Sequence, residues 1–296
     1  MTNKTKLAVI SDIHMDVNDF SQEELEIFNH LLIDQDIRHL HFAGDMSNDL
    51  KKITLPYFEE LSARTGISVT YNLGNHDMVG LTEAEIIEND WQIQWFGDTA
   101  FLSFAGWYDY SLIRQNMPVE KLENFKKNFY FDRKIHRREN DRITTEKILT
   151  RLEQVLLELS SAKRVIISMH FVPHAQFIIN TRYEKFEKFN AFLGSAHFHE
   201  LFTHFPNVTD VVFGHIHHHF DAVKRDNISY HAHPLGYPYE WQMVSSFFDA
   251  FPDYRIPEMA HLRKRYKNIR QSDDWLSYRK AHLAEEFLSA LTIFEF

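Results

Sequence analysis

Five short polar clusters hold the side chains best suited to chemistry: Asp12-Ile13-His14, Gly44-Asp45, Gly74-Asn75-His76-Asp77, a lone His170, and Gly214-His215-Ile216-His217. Each follows directly on a short apolar run: Leu7 to Ile10, His39 to Ala43, Ser68 to Leu73, Arg164 to Met169 and Asp210 to Phe213. Such runs read as strands, and open α/β sheets gather their ligands at strand carboxyl ends. In extended backbone, residues two apart point to one side. Asp12 with His14, and His215 with His217, are therefore expected to aim paired donors at one place. Glycine at 44, 74 and 214 lets the chain turn sharply before each donor. Imidazole and carboxylate donors without sulfur suit manganese, iron or zinc rather than a calcium cage of oxygens alone. The set is large enough for two ions, and Asp45, alone in its cluster, is the natural carboxylate bridge. Two ions about 4 Å apart hold a hydroxide nucleophile and share the charge on an attacked phosphoryl group, with no covalent intermediate required.

The elements that must position these residues alternate in the manner of a layered α/β fold. Ser21 to Ile33 is helix-like, with Glu24 three residues after Ser21 in a capping-box pattern. A second helical stretch runs from about Leu55 to Ala63, and Phe101 to Trp107 reads as a further strand. Residues 112–161 are long, charged and largely helical in pattern, and read as an insertion over the core. Tyr183 to Phe205 looks like two short helices, and Phe220 to Lys224 with Ile228 to Ala232 like a hairpin. From Tyr237 to the end the chain is aromatic and charged, with a helical pattern near Asp274 to Ala290. With no linker, repeat or low-complexity tract, the simplest organisation is one domain over 1–296, with the insertion at about 112–161 and an extension at about 237–296.

Composition narrows the classes. A chain of 296 residues with 44% hydrophobic content can bury a substantial core. Zero cysteines exclude disulfides, zinc-thiolate sites and a cysteine nucleophile. No apolar run approaches the roughly 18 residues of a membrane span, and the start from Met1 has no secretory pattern. A cytoplasmic location without membrane association is expected. A formal charge of −10 argues against broad nucleic-acid binding, which needs many basic contacts. It does not oppose a small anion, because bound cations dominate the local field. Nothing in the sequence sets an oligomeric state.

The ordered series D-x-H, G-D, G-N-H-D, H, G-H-x-H resembles the calcineurin-like metallophosphoesterase superfamily, with every element present between Asp12 and His217. A single G-D carries no weight; the full ordered set is highly specific. The resemblance implies an α/β fold, a four-layer α/β/β/α sandwich of two packed mixed β-sheets flanked by helices, here with a helical insertion. It implies that Asp12, His14, Asp45 and His217 bind one metal, and that Asp45, Asn75, His170 and His215 bind the other. The cofactors would be two divalent or mixed-valence ions of manganese, iron or zinc. His76 would hydrogen-bond the phosphate and help protonate the leaving group, and Asp77 would orient or tune His76. The implied activity is hydrolysis of a small phosphate ester by a bridging hydroxide, with a phosphodiester slightly ahead of a monoester. Two other readings stand beside it: a non-catalytic scaffold of the same fold, which the intact donor set opposes, and a nuclease, which the acidic charge opposes.

Outside the motifs, Trp107, Tyr108 and Tyr110 follow a predicted strand and are candidates for a substrate-pocket wall. Gly236 to Trp241 is a candidate to close the pocket from the tail side. Lys126, Lys127, Arg133, Lys134, Arg137 and Arg138 alternate with Phe125, Phe129, Tyr130 and Phe131. That segment is read as amphipathic, with its aromatics on the core, in preference to a nucleotide contact. His218 and His219 are read as structural or exposed.

Overall fold

Leu7 and Val9 point to one side of the first strand and Ala8 and Ile10 to the other, and all four are buried. Burial on both faces is what a strand in the middle of a layered fold requires. The computed structural model describes residues 5–115, 117–180 and 184–296. Met1 and Tyr183, where two of the readings above begin, lie outside the described residues.

Strand β1 (Lys6–Ile10) leads through a single turn α1 (Met15–Asn18) to helix α2 (Gln22–Asp34). Ser21 caps α2: its side chain accepts from Glu24 N, and the Glu24 carboxylate accepts from Ser21 N at 2.9 Å, the expected capping box. Then come β2 (His39–Ala43), α3 (Leu55–Thr65), β3 (Ser68–Asn72) and α4 (Glu83–Asp90). Strands β1, β2 and β3 pair in parallel.

The second sheet begins with β4 (Gln92–Phe96) and β5 (Thr99–Ser103), an antiparallel pair. The expected strand from Phe101 to Trp107 thus starts earlier and ends at Ser103. Helices α5 (Val119–Phe129) and α6 (Asp141–Glu158) make up most of the segment read as an insertion. After β6 (Arg164–Met169), α7 (Glu184–Asn190) and α8 (His197–Phe202) precede β7 (Val208–Phe213), and β8 (Phe220–Arg225) with β9 (Ile228–Ala232) forms the antiparallel hairpin. The order in this sheet is β4-β5-β6-β7-β9-β8.

Beyond Tyr237 come α9 (Gln242–Ala250), α10 (Leu262–Ile269), α11 (Asp273–Ser289) and β10 (Thr292–Glu295). Strand β10 pairs antiparallel with β1, so the end of the chain completes the first sheet, in the order β10-β1-β2-β3.

Leu7, Val9, Ala43 and Phe294 of the first sheet meet Phe101, Ile166 and Val212 of the second in an apolar layer between the sheets. The other core faces carry Phe28, Leu32, Phe58 and Leu61 from α2 and α3, and Leu152, Leu156, Phe198 and Phe202 from α6 and α8. The fold is therefore two packed mixed sheets flanked by helices, as the sequence implies. Among the described residues no helix is long and apolar enough to cross a membrane.

Candidate metal centre

All five clusters arrive at one edge of the sandwich. Asp12 N donates to Gly44 O at 3.0 Å, His14 N to Asp45 O at 3.0 Å and Gly214 N to His170 O at 3.1 Å, so the strand-end loops are stitched to one another. Side chains of Asp12, His14, Asp45 and His217 form one group of donors and those of Asp45, His170 and His215 a second, each with its atoms within 4.8 Å of one another. His217 Nε2 lies 3.0 Å from both Asp12 Oδ1 and His14 Nε2. Asp45 belongs to both groups with different oxygens: Oδ2 is 3.8 Å from His14 Nε2, and Oδ1 is 3.4 Å from His170 Nε2. Asn75 Oδ1 is 3.2 Å from His170 Nε2, on the second group.

The donors do not converge by the alternation of extended strands. Asp12, His14, Asp45, His215 and His217 have φ values of 58°, 41°, 55°, 67° and 48°, all left-handed. Asp and His tolerate this region better than most residues, and such strain, about 1–3 kcal/mol per residue, concentrates at functional sites. The loops curl back on themselves, and that curl brings the paired donors of each cluster together.

Glycine serves space as much as turning. Only Gly44 of the three motif glycines has a positive φ, and a Cβ there would stand 2.5 Å from His170 Nδ1. A Cβ on Gly74 would come within 2.2 Å of Asp45 Oδ1, and one on Gly214 within 2.2 Å of Asp12 Oδ2. Gly214→Ala is expected to displace the Asp12 carboxylate and reduce bound metal to one ion or fewer per chain, measured by elemental analysis of folded protein.

The surrounding hydrogen bonds suit ion binding. His170 Nδ1 donates to Ala43 O at 3.1 Å and His217 Nδ1 to Glu240 Oε2 at 2.9 Å, which turns each Nε2 toward the donors. Asn75 Nδ2 donates to Asp132 Oδ1 at 2.8 Å, which fixes the amide with its oxygen inward. His215 Nε2 faces Phe192 O at 3.1 Å, so Nδ1 is the nitrogen that could hold an ion. Ligands around an ion at roughly 2.0–2.2 Å stand about 3–4 Å apart, which is the spacing found. Nitrogen and oxygen donors without sulfur complete the fit to two borderline metals.

A family model for calcineurin-like phosphoesterases matches residues 5–219, which include every donor. The chain belongs to the calcineurin-like phosphoesterase family. Among solved structures its fold is similar to a phosphopantetheinyl hydrolase from Mycobacterium tuberculosis, at TM-score 0.60 and 16% identity, covering 82% of this chain and 93% of that one. A dimetal phosphatase from Danio rerio aligns at TM-score 0.47 and 12% identity over 77% of this chain and 86% of that one. No curated protein matches the sequence.

The electrostatics of this calcineurin-like centre are those of a cation site. Burial alone would raise the Asp12 carboxyl, yet the hydrogen bond and charge of His217 hold it down at about 2. Burial alone would lower the His170 imidazole, yet the Asp45 carboxylate lifts it to about 9. Two buried carboxylates thus concentrate negative potential where the imidazoles converge.

Asp77 does not reach His76. Its Oδ2 accepts from Asp45 N at 2.7 Å and Gly74 N at 2.8 Å, and its Oδ1 from Met46 N at 2.9 Å and Ser47 N at 3.1 Å. It clamps two donor loops together through their backbones. Burial and the Asp45 charge push this carboxyl up to about 7, against the N–H bonds from Gly74 and Ser47. Four inward-pointing N–H groups fit only the ionised form, since a protonated oxygen would oppose a donor with a donor. His76 is instead held through Nδ1 by Asn48 Oδ1 at 2.9 Å.

Trp107, Tyr108 and Tyr110 are not a substrate wall at the donors. The first two are fully buried. Trp107 Nε1 and Tyr110 OH donate to Asp141 at 2.8 and 2.5 Å, and Lys126 Nζ joins them at 2.6 Å, so this group locks α5 and α6 onto the core. Tyr110 also reaches a cavity beside Arg142 and His197 whose wall contains none of the donors.

The aromatic walls come from elsewhere. Phe131, in the segment between α5 and α6, stacks on His76 with ring centres 3.8 Å apart, and Tyr130 OH lies 3.4 Å from His215 Nε2. Tyr237 stacks on His14 at 4.6 Å and its hydroxyl lies 3.5 Å from His76 Nε2, so the tail does close one side.

Proposed function

We propose that this chain is a metal-dependent phosphoesterase acting on a small phosphate ester, with a phosphodiester slightly preferred. Asp12, His14, Asp45 and His217 hold one ion, and Asp45, Asn75, His170 and His215 hold the other. The observation that carries the reading is the placement of the two Asp45 oxygens toward different donor groups, the geometry of a bridging carboxylate. When bound, two ions supply polarisation of the phosphoryl oxygens and a water made nucleophilic near neutral pH.

His76 acts on the leaving group. With Nδ1 donating to Asn48, Nε2 is the nitrogen that exchanges a proton with the departing alcohol. Phe131 and Tyr237 flank it and offer apolar ring edges to the ester's organic group, which is what favours a diester. The chain works as one domain over 1–296, since β10 at its end completes the sheet that β1 begins. Its cysteine-free composition fits the cytoplasm.

The test is hydrolysis of chromogenic phosphodiester and monoester by chelator-stripped protein refilled with manganese, iron or zinc. His76→Gln is expected to lower kcat by about 10²–10⁴-fold while metal content stays at two ions per chain. No turnover with any metal, with two ions still bound, would instead favour a scaffold that keeps its ligands for structure.

A further inference from the structure

Beside the donors, with one wall outside the residues that match the family model, lies a surface cleft of about 920 Å³. One wall is α10 with its C-cap, from which Arg263, Tyr266, Lys267 and Arg270 face the cleft. Their spacing of three, four and seven residues places them on one helical face. The opposite wall is Val17 to Asp19, at the end of α1, with the start of α2. Pro238 and Tyr239, which follow Tyr237 in the chain, also line it.

The charges in this cleft do not cancel. Glu23 pairs with Lys280 at 2.7 Å and Glu24 pairs with Arg279, which neutralises both pairs. Arg263, Lys267 and Arg270 make no ion pair among the described residues, and Asp19 is the one wall carboxylate left to face them. On a chain of formal charge −10, three unpaired cations on one helical face are a local reversal of sign.

Contacts join the cleft to the donors. Arg263 Nη2 donates to Tyr239 OH at 3.1 Å, and its guanidinium lies 5.0 Å from the Tyr239 ring centre. Tyr239 stacks on Tyr237 at 5.4 Å, and Tyr237 stacks on His14 at 4.6 Å. Asn18 Nδ2 donates to Gly236 O at 3.0 Å, tying the wall that follows His14 to the tail that leads into Tyr237. The cleft therefore lies two ring-to-ring steps from a candidate metal donor, through Tyr239 and Tyr237.

We infer that this cleft is a second phosphate-binding subsite: the substrate carries a further phosphate group on the organic part of its ester, and Arg263, Lys267 and Arg270 hold it while the scissile phosphate sits at the donors. The inference rests on the phosphoesterase reading for the second half of that statement. Guanidinium and ammonium groups on one face match a phosphate's several acceptor oxygens, and an anion there offsets repulsion among the three cations. Tyr239, held by Arg263, lies on the path between the two sites and sets the distance a substrate must span. Substrates with a single phosphate would be turned over with a higher KM.

The experiment compares the full-length protein with its Arg263→Gln/Lys267→Gln/Arg270→Gln variant, all three positions being exposed and remote from the core. Binding of inorganic pyrophosphate is measured by calorimetry on metal-stripped and metal-loaded protein. Separately, kcat/KM is measured for two p-nitrophenyl phosphodiesters that differ only in a second phosphate on the retained organic group. The triple variant is expected to bind pyrophosphate at least about tenfold more weakly in the metal-stripped state, with a wild-type affinity that falls with salt. It should also lose about tenfold or more in kcat/KM for the doubly phosphorylated ester, through KM, with little change for the other. Equal pyrophosphate binding by the two proteins overturns the subsite, whatever the enzyme hydrolyses, and so does an unchanged preference between the two esters. Failure of the phosphoesterase reading is a different result: no ester is hydrolysed, while the variant still loses pyrophosphate binding and the anion site stands.

Discussion

Asp45→Ala is expected to lose both metal ions together, with turnover falling by at least about 10³-fold. The expectation comes from the division of one carboxylate between two donor groups. Its Oδ2 faces His14 of the first group at 3.8 Å, and its Oδ1 faces His170 of the second at 3.4 Å. A ligand confined to one group behaves differently: His217→Ala removes a donor from the first group alone, and the second ion should remain. Metal content per chain, measured after dialysis against a weak chelator, separates the two variants. Stability supplies an independent reading, because an ion that binds only the folded state raises Tm, by more the tighter it binds. Wild-type protein should gain Tm on addition of manganese, and Asp45→Ala should gain little. The stripped variant should still fold, since His170, without the carboxylate that holds its proton, can stay neutral in the buried site. Retention of two ions by Asp45→Ala would end the bridging assignment.

The candidate donors were legible in the sequence because each cluster is local: a strand, a stop, then ligand-type residues within a few positions. The convergence of the clusters follows from parallel strands, which β1, β2, β3, β6 and β7 are, since parallel strands bring all their carboxyl ends to one edge. The route to convergence was not legible, because residue types alone do not distinguish extended from left-handed backbone at Asp12 or His215. Contacts across long separations were equally hidden. Asp132 orients Asn75 from 57 residues away, and Tyr237 reaches His76 from 161 residues away. Their sequence contexts, a basic aromatic segment and an aromatic tail, gave only composition. Trp107 and Tyr108 misled for a related reason: a polar atom on a large aromatic suits a pocket wall and a buried hydrogen bond equally well, and here Asp141 provides the buried partner for Trp107. Strands β4 and β10 escaped notice as short edge strands, recognisable only by the neighbours they pair with.

Asp77 separates the sequence reading from the structural one most sharply, and Asp77→Asn tests the difference. An amide can accept with one oxygen only. Its NH₂ group would face two of the four backbone donors from Gly74, Asp45, Met46 and Ser47, so that two charge-assisted bonds are lost and donors oppose donors. At about 1.5–3 kcal/mol for each such bond, the expected loss is about 3–6 kcal/mol, or a Tm lower by about 10 °C for a chain of this size. Metal affinity should fall with it, because the clamp sets where the Asp45 backbone sits relative to the Gly74-Asn75 turn. Were Asp77 the partner that orients His76, the same substitution would lower kcat and shift its pH profile while leaving Tm and metal content near those of the wild type. Asn48→Ala is the counterpart, since Asn48 Oδ1 is the atom that holds His76 Nδ1. That variant should show the kinetic signature without the loss of stability, because Asn48 is not among the fully buried residues. The two substitutions should therefore exchange the effects that the motif by itself would assign to them: the acidic residue of G-N-H-D carries the architecture, and a residue outside every motif carries the orientation of the histidine.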